Sequence, residues 1–527
     1  MSRFWITSLQ FFLFVSVAAA ESPDRQWILV TAPAYRAALE PLCTQRKAQG
    51  YHVTVVETSD VLSPEETRTG AAAKLRERLN RLCRDFKGSS RILLAGAVCK
   101  GVDNDVKTVV PPLGGTVGRM KGEPTDLGYC CLGNELFPAV AVGRFPARNA
   151  AEAAAMVRKT LDLENDQRPG TWRRRLTVLA GVPAFNPLVD RMVERLALAR
   201  LDKVDPAWTG RAIYHNAESR FCVPDHELRD RSLRYVSEGQ GLTLYLGHSS
   251  PEGFWAGRAR YLDRQDWAKL RIERGSGVFA TFGCTGCQLR GPDGEGYGIA
   301  AIRNPHGPAA VLGSHGICFA AMVQLASEGF ASSFLSDSPP DRLETAWLAL
   351  LKGLAEGPID PFSFLLLDAV DGDSHIPQAT QRLEHLEMFV LLGDPALRLP
   401  TIPKEVVLRT DGAVRPGKVL SVAGSVPAPL AGARVRVILE RTAGSEPLDL
   451  EPLPKTPGPE RDRVMLANHQ RANRFELAAV DVECKGDEFE AKLSAPERVP
   501  GQQLILRAYA ANEKSEAIGV LRLGLER

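Results

Sequence analysis

The chain has 527 residues, with 65 Lys and Arg against 63 Asp and Glu and a formal net charge of +2. That balance gives no basic footprint for nucleic acid, and no nucleic-acid partner is expected. A hydrophobic content of 44% with 24% charged residues describes ordinary globular domains, and at roughly 100–200 residues per domain the length implies about three or four units.

Residues 1–20, "MSRFWITSLQFFLFVSVAAA", place Arg3 before an apolar stretch that runs through Val17. Ala18 and Ala20 then form an A-x-A-like cleavage site ahead of Glu21. This is the layout of a secretory signal peptide, so the protein is expected to be exported, to an extracellular, periplasmic or cell-surface location. Ser8 and Gln10 interrupt the run, which argues against the alternative of an uncleaved anchor. No later stretch is long enough to span a membrane, and none is expected in the mature chain. Ten cysteines in this length do not make a disulfide scaffold. Nor do they make a zinc site: Cys130 and Cys131 are adjacent, Cys284 and Cys287 lack a second C-x-x-C, and no H-x(3–5)-H lies near.

From residue 21 the chain alternates strand-like and helix-like segments. "QWILVTAP", "YHVTVVET" and "RILLAGAV" are short apolar runs, and between them lie "YRAALEPLCTQRKAQG" and "ETRTGAAAKLRERLNRLCRDF". The second of these helices puts Leu75, Leu79 and Leu82 on one face. Such alternation predicts a mainly parallel sheet covered by helices. Residues 99–135 break the rhythm, and the strand "FPAVAVGRFPA" and a further helix restore it. The polar linker "DQRPGTWRR" marks a boundary, giving an N-terminal α/β subdomain over 21–168 and a second α/β subdomain over 169–402. The second holds the strand "RRLTVLAGVP", helices near 187–201 and 225–238, and strands over 241–246 and 277–282, and it closes on "LLGDPALRLP". From about 403 to 527, short alternating runs separated by turn residues predict a small β-sandwich. The polar, Pro-rich 446–470 insertion within it reads as a loop.

Two strands carry the chemistry. "GLTLYL" is followed by Gly247-His248-Ser249-Ser250, and "GVFATF" by Gly283-Cys284. One helix between them makes a βαβ unit, so the strands should run parallel. If they are neighbours, His248 and Cys284 leave the sheet together at its carboxyl edge, where open α/β sheets bind ligands. A free thiol, with a pKa of roughly 8.5, is mostly protonated at neutral pH, and an imidazole beside it can take that proton. Gly247 and Gly283 would let backbone amides approach a substrate carbonyl as an oxyanion site requires. Other readings stay open at this point. Cys284 can be a small buried apolar residue, His248 a loop-capping polar group, or Cys284 and Cys287 a disulfide or redox pair.

These residues resemble the gingipain-type cysteine peptidases, the caspase-like family C25. In the first half, "TDLGYC" (Thr125, Asp126, Tyr129) and "PAVAVGRFPARNAAEA" carry the likeness. In the second, "YLGHSSPEGFW" is similar to the family's histidine segment, "VFATFGCTGCQL" to its nucleophile segment, and "LLGDPALRLP" to its closing segment. The likeness covers about residues 90–400. It implies a two-part caspase/gingipain-like α/β catalytic domain followed by an immunoglobulin-like β-sandwich. The activity it implies is that of a cysteine endopeptidase acting on polypeptides through an acyl-enzyme, with Cys284 as nucleophile and His248 as base. It requires no cofactor, although structural calcium is compatible with it. Cys287 stands where the family pattern commonly has glycine and is not implied as catalytic.

The sequence also departs from the pattern. Ser249 replaces the glycine that usually follows the histidine, and its side chain could crowd the substrate or alter the oxyanion amide. The family places a carboxylate after the strand that matches "RLTVLAG", but here Gly181, Val182 and Pro183 follow. Asp190, which also fits a solvated helix face, and Glu252 are the candidate orienting acids. These departures motivate an alternative, a catalytically silent relative acting as a binding or surface protein. A thiol–disulfide enzyme using Cys284 and Cys287 is a minor one. His306 and His315 flank a buried strand and could line the cleft, His315 as a pocket residue. "DGDSH" over 371–375 offers oxygen ligands for calcium or is a turn, and Asp126 fits a structural cation or a turn cap.

Overall fold

The alternating apolar runs assemble into one continuous sheet. A computed structural model describes residues 24–98, 105–129, 138–181, 187–257, 259–289, 294–359, 361, 364, 367, 368 and 375–526. The signal segment, Cys130 and Cys131, Val182 and Pro183, and residues 371–374 of the calcium candidate lie outside the described residues. The sheet strands are β1 (Arg25–Thr31), β2 (His52–Glu57), β3 (Ser89–Ala95), β4 (Ala141–Phe145), β5 (Arg175–Gly181), β6 (Thr209–His215), β7 (Gln240–Leu246), β8 (Ser276–Phe282), β9 (Ala310–Ser314) and β10 (Phe389–Leu392).

Their order is β2-β1-β3-β4-β10-β9-β8-β7-β5-β6. The five strands on either side of the β9–β10 seam are parallel among themselves. At the seam β9 and β10 pair antiparallel, so the two blocks run in opposite directions. β10 comes from the end of the second subdomain yet pairs with β4 of the first. The central strands are buried on both faces, which is why they read as unbroken apolar runs: Ile28, Leu29 and Val30, Ile92 to Leu94, and Val311 and Leu312 are fully buried. Edge strand β6, "TGRAIYH", escaped the sequence reading because Gly210 and Arg211 interrupt its apolar pattern.

One buried ion pair locks the two halves together, and a second braces the first half. Arg46, on α1 (Arg36–Ala48), and Asp394, just past β10, are both fully buried. Arg46 Nε and Nη2 donate to Asp394 Oδ2 at 2.9 and 2.7 Å, and Trp27 Nε1 donates to Asp394 Oδ1 at 3.0 Å. Glu164 takes the other side of the guanidinium at 2.8 Å. The Asp of the closing "GDP" is therefore a structural anchor on the first strand and helix. Asp126 is likewise engaged: Arg144 Nε and Nη2 donate to its two oxygens, both at 2.7 Å. Arg144 Nη1 caps the carbonyls of Gly96 and Val110 at 3.2 and 2.9 Å. An ion pair, not a cation or a turn cap, accounts for Asp126.

The C-terminal unit consists of two antiparallel sheets. β11 (Val407–Thr410), β12 (Val419–Ser425) and β15 (Glu488–Ser494) form one; β13 (Arg434–Arg441), β14 (Glu476–Glu483), β16 (Gln503–Ala511) and β17 (Glu516–Gly524) form the other. Inward residues such as Val422, Val437, Leu493 and Leu506 close a core between them. The 446–470 insertion is not only a loop. It contains the helix Pro459–Ala472, with Pro459 in the first turn, Glu460 and Asp462 beside it, and His469 and Arg471 in the last turn. The flanking prolines masked this pattern in the sequence. The helix packs on the second α/β unit: His469 Nδ1 donates to Phe221 O at 3.0 Å, Tyr235 OH bonds its Nε2 at 2.8 Å, and Asn473 just beyond pairs with the backbone of Ala212 on β6 at 2.7 and 3.0 Å. Asn473 thus covers part of an exposed sheet edge.

Removing Asp394 leaves the Arg46 charge buried with half its partners. Asp394→Ala should lower stability by about 3–5 kcal/mol in urea unfolding. Arg415→Ala, which breaks a solvent-exposed pair with Glu526, should leave the midpoint unchanged.

Candidate active site

β7 and β8 pair in parallel with Leu246 opposite Phe282. The segments Gly247-His248 and Gly283-Cys284 therefore leave the carboxyl edge side by side. His248 is exposed and Cys284 half-buried. The two glycines are needed because the loops cross closely. At Gly247, with φ +146°, a Cβ would stand 2.9 Å from Tyr245 OH, and at Gly283 it would stand 2.3 Å from Ser249 Oγ and 2.7 Å from Gly247 O. Gly247 N donates to Phe282 O at 3.4 Å.

Hydroxyls hold both loops. Ser249 Oγ donates to Cys284 O at 2.7 Å, so the residue that departs from the family pattern links the histidine loop to the cysteine peptide. Tyr245 OH donates to His248 O at 2.5 Å, and burial pushes its phenol well up, which keeps it a donor. Below lie Phe254, 4.0 Å from the Tyr245 ring centroid, and Tyr297, whose hydroxyl bonds Thr281 Oγ1 at 2.6 Å. Phe254 belongs to a small antiparallel sheet of Ser249–Ser250, Gly253–Ala256 and Ala259–Asp263. That hairpin lies between the two strands in addition to the single helix that the sequence suggested.

The residue after Cys284 is strained. Thr285 has φ +56° and is the one non-glycine with positive φ among the described residues. For a β-branched side chain this costs on the order of 1–3 kcal/mol. Hydrogen bonds to the end of β9 and the loop after it fix it: Thr285 N to Gly316 O and Cys287 N to Ser314 O, both at 2.8 Å. Cys318, in that same loop, puts its sulfur 3.7 Å from Gly283 O. The sequence reading did not single it out, although it follows the next strand end at the same edge.

Cys284 and Cys287 are not equivalent. Cys287 is fully buried, over glycines 298 and 313, where added Cβ atoms would stand 2.8 and 3.1 Å from its sulfur. Burial raises its thiol pKa strongly. No disulfide joins them.

The other candidates are placed as follows. Glu252 lies exposed on the hairpin turn and accepts from Ser250 Oγ at 2.6 Å, the main reason its carboxyl pKa is lowered. Asp190, in the first turn of the helix Pro187–Leu201, is 6% exposed rather than on a solvated face, and Tyr214 OH donates to its backbone carbonyl at 3.4 Å. His315 is 6% exposed, with Nε2 donating to Glu387 O at 3.2 Å, and burial lowers its pKa. Its ring is thus in the protein interior and not on an open pocket wall. His306 precedes β9 and so lies at the opposite sheet edge from Cys284. Among the described residues no group of three or more His, Cys, Asp and Glu could hold a metal ion.

The helix Gln378–Met388 braces this edge from behind. Glu384 accepts from Arg119 N and Nε at 2.8 Å, and Glu387 from Thr116 N and Oγ1 at 2.9 and 2.7 Å, which grips the first half. Between them His385 donates from Nδ1 to Gln381 O at 2.7 Å and accepts Phe319 N–H on Nε2 at 2.9 Å. Burial lowers the His385 pKa to about 3, so the ring is neutral.

Comparison with known proteins agrees with this architecture. The family model for peptidase family C25 matches residues 20–400. The chain belongs to peptidase family C25 and is by family a cysteine peptidase. Among solved structures it is similar to the Arg-specific cysteine proteinase gingipain R, with a TM-score of 0.53, 14% identity, and 96% of this chain and 99% of that one covered. The complex of Porphyromonas gingivalis RgpB pro- and mature domains gives a TM-score of 0.53 at 13% identity, covering 95% and 100%. At such identities the likeness is one of fold, and it includes the C-terminal β-sandwich. No curated protein matches the sequence.

The neutral His385 predicts an acid response. Its folded pKa lies below the ordinary 6.5, so the unfolded chain takes the proton first. Its contribution is complete above 6.5 and is lost as pH falls toward about 3. The melting temperature should drop across that window, and less steeply in His385→Gln. His469, lowered by burial to about 4, acts in the same direction in both proteins.

Proposed function

We propose that this chain is an exported cysteine endopeptidase in which Cys284 is the nucleophile and His248 the proton carrier. The observation that carries the reading is the Leu246–Phe282 register, which brings the two residues to one sheet edge. The Cys284 sulfur attacks the scissile carbonyl while His248 receives the thiol proton. As the C–N bond breaks, His248 returns that proton to the leaving amine. Water, deprotonated by His248, then hydrolyses the thioester. Gly247 and Gly283 keep the loops close enough for backbone N–H groups beside Cys284 to meet the oxyanion. Ser249 fixes the Cys284 peptide from the histidine side. Asp190 and Glu252 are the candidates for orienting the imidazole.

The thiol is itself the nucleophile, so the chemistry needs no cofactor. Structural calcium, with 371–375 as its sequence candidate, would serve the loops. The substrates are polypeptides, and the 1–20 segment directs the chain out of the cytoplasm.

Cleavage of a denatured protein substrate tests the assignment. Cys284→Ala should lower kcat/KM by at least about 10³-fold and His248→Ala by at least about 10²-fold, while Cys287→Ala should remain active. Ser249→Ala should cost roughly tenfold, the equivalent of one hydrogen bond. Equal cleavage by wild type and Cys284→Ala would remove Cys284 from the mechanism.

A further inference from the structure

Seven cysteines lie among the described residues, none of them in a disulfide: 43, 83, 222, 287 and 484 are buried, and of the seven only Cys284 and Cys318 are half-exposed. These two meet. Cys284 Sγ lies 4.0 Å from Cys318 O, and Cys318 Sγ lies 3.7 Å from Gly283 O and 4.0 Å from Gly316 O. Each sulfur thus rests on the other segment's backbone, at the ends of the paired strands β8 and β9. We propose that Cys284 and Cys318 form a reversible oxidation site for hydroperoxides, with Cys284 as the oxidised thiol and Cys318 as its resolving partner.

In the first step the Cys284 thiolate attacks one oxygen of the peroxide. An S–O bond forms, the O–O bond breaks, and water (or an alcohol, from an alkyl hydroperoxide) leaves. The Cys318 sulfur then attacks the Cys284 sulfur of the sulfenic acid. The S–S bond forms, the S–O bond breaks, and hydroxide leaves with the thiol proton as water. Two thiols lose two electrons in total and one peroxide gains them.

Several features favour this pair over the C-x-x-C spelling. Cys287 is three residues from Cys284 in sequence but fully buried, with its sulfur over Gly298 and Gly313. Burial raises the thiols of 43, 83, 222, 287 and 484, which suppresses their thiolates. The hydrogen bond from Thr285 N to Gly316 O already holds the two turns together. A disulfide needs its Cβ atoms about 3.5–4.5 Å apart, and this hydrogen bond together with the two sulfur–carbonyl contacts keeps the segments close. The bond would remove the attacking thiolate and, at the same time, protect it from further oxidation. The proposal shares with the peptidase reading only a reactive Cys284 thiolate, and its test requires no cleavage activity.

The test is disulfide mapping of the native, reduced full chain after exposure to hydrogen peroxide. Trypsin gives peptide 275–290, which carries both Cys284 and Cys287, and peptide 304–342, which carries Cys318. Fragmentation then localises the bond. The expected result is a Cys284–Cys318 cross-linked pair that dithiothreitol dissolves. In Cys318→Ser the cross-link should vanish and Cys284 should proceed to sulfinic acid, which dithiothreitol does not reverse. In the wild type, sulfinic acid on Cys284 with no cross-link would overturn the proposal. So would a bond from Cys284 to Cys287, or a Cys284 that stays reduced. These are readings on the wild-type chain and do not depend on how the variant folds. If the cross-link forms while Cys284→Ala still cleaves substrate, the peptidase assignment fails and the oxidation site stands.

Discussion

The parallel ladder between β7 and β8 decides where chemistry can sit. Hydrogen bonding fixes Leu246 opposite Phe282, and a one-residue slip would turn every side chain to the other face. Given that register, the next two residues of each strand emerge together. His248 and Cys284, 36 residues apart in sequence, become neighbours by topology and not by any local motif. The close crossing that follows admits no side chain at Gly247 or Gly283, and it places Ser249 where its hydroxyl closes on the cysteine peptide. A departure from the family spelling thereby becomes a contact between the two chemical loops.

The rest of the molecule supports that edge in layers. The loop after β9 holds the strained Thr285 turn, and the helix Gln378–Met388 holds that loop through His385 and the Phe319 amide. The same helix reaches the first half through Glu384 and Glu387, while Asp394, just beyond β10, is clamped by Arg46 and Trp27. The first half runs its strands in the opposite direction. Its role is rigidity: strain at Thr285 persists only where the surroundings over-determine it. The β-sandwich adds a further support, since the Pro459–Ala472 helix and Asn473 cover β6 and the helix Asp225–Ser237 at the far edge of the second half.

Much of this was legible in the sequence because parallel strands buried on both faces are written as short apolar runs. Those runs marked β1, β3, β7 and β8, and the Gly-His and Gly-Cys that follow β7 and β8 marked the carboxyl edge. Features set by tertiary contact were not legible. β6 has no clean apolar pattern because it is an edge strand. The Pro459–Ala472 helix was hidden by the prolines around it, although its acidic first turn and basic last turn were visible signals. Asp126 fits a structural cation or a turn cap by sequence, and only the fold sets Arg144, 18 residues later, against it. Cys318 carried no motif, and only the folding of the β9 loop back onto Gly283 brings it to Cys284. His315 lies at the carboxyl edge as its position implied, but its ring turns inward to Glu387, a choice that side-chain packing alone decides.

The central claim is that His248 activates Cys284, and the pH profile of Cys284 alkylation by iodoacetamide tests it most directly. The buried thiols within the same chain serve as references. The account predicts selective alkylation of Cys284 near neutral pH, with a profile that moves to higher pH in His248→Ala. A Cys284 that reacts like an ordinary thiol, with an inflection near roughly 8.5 and the same profile in both proteins, would contradict it.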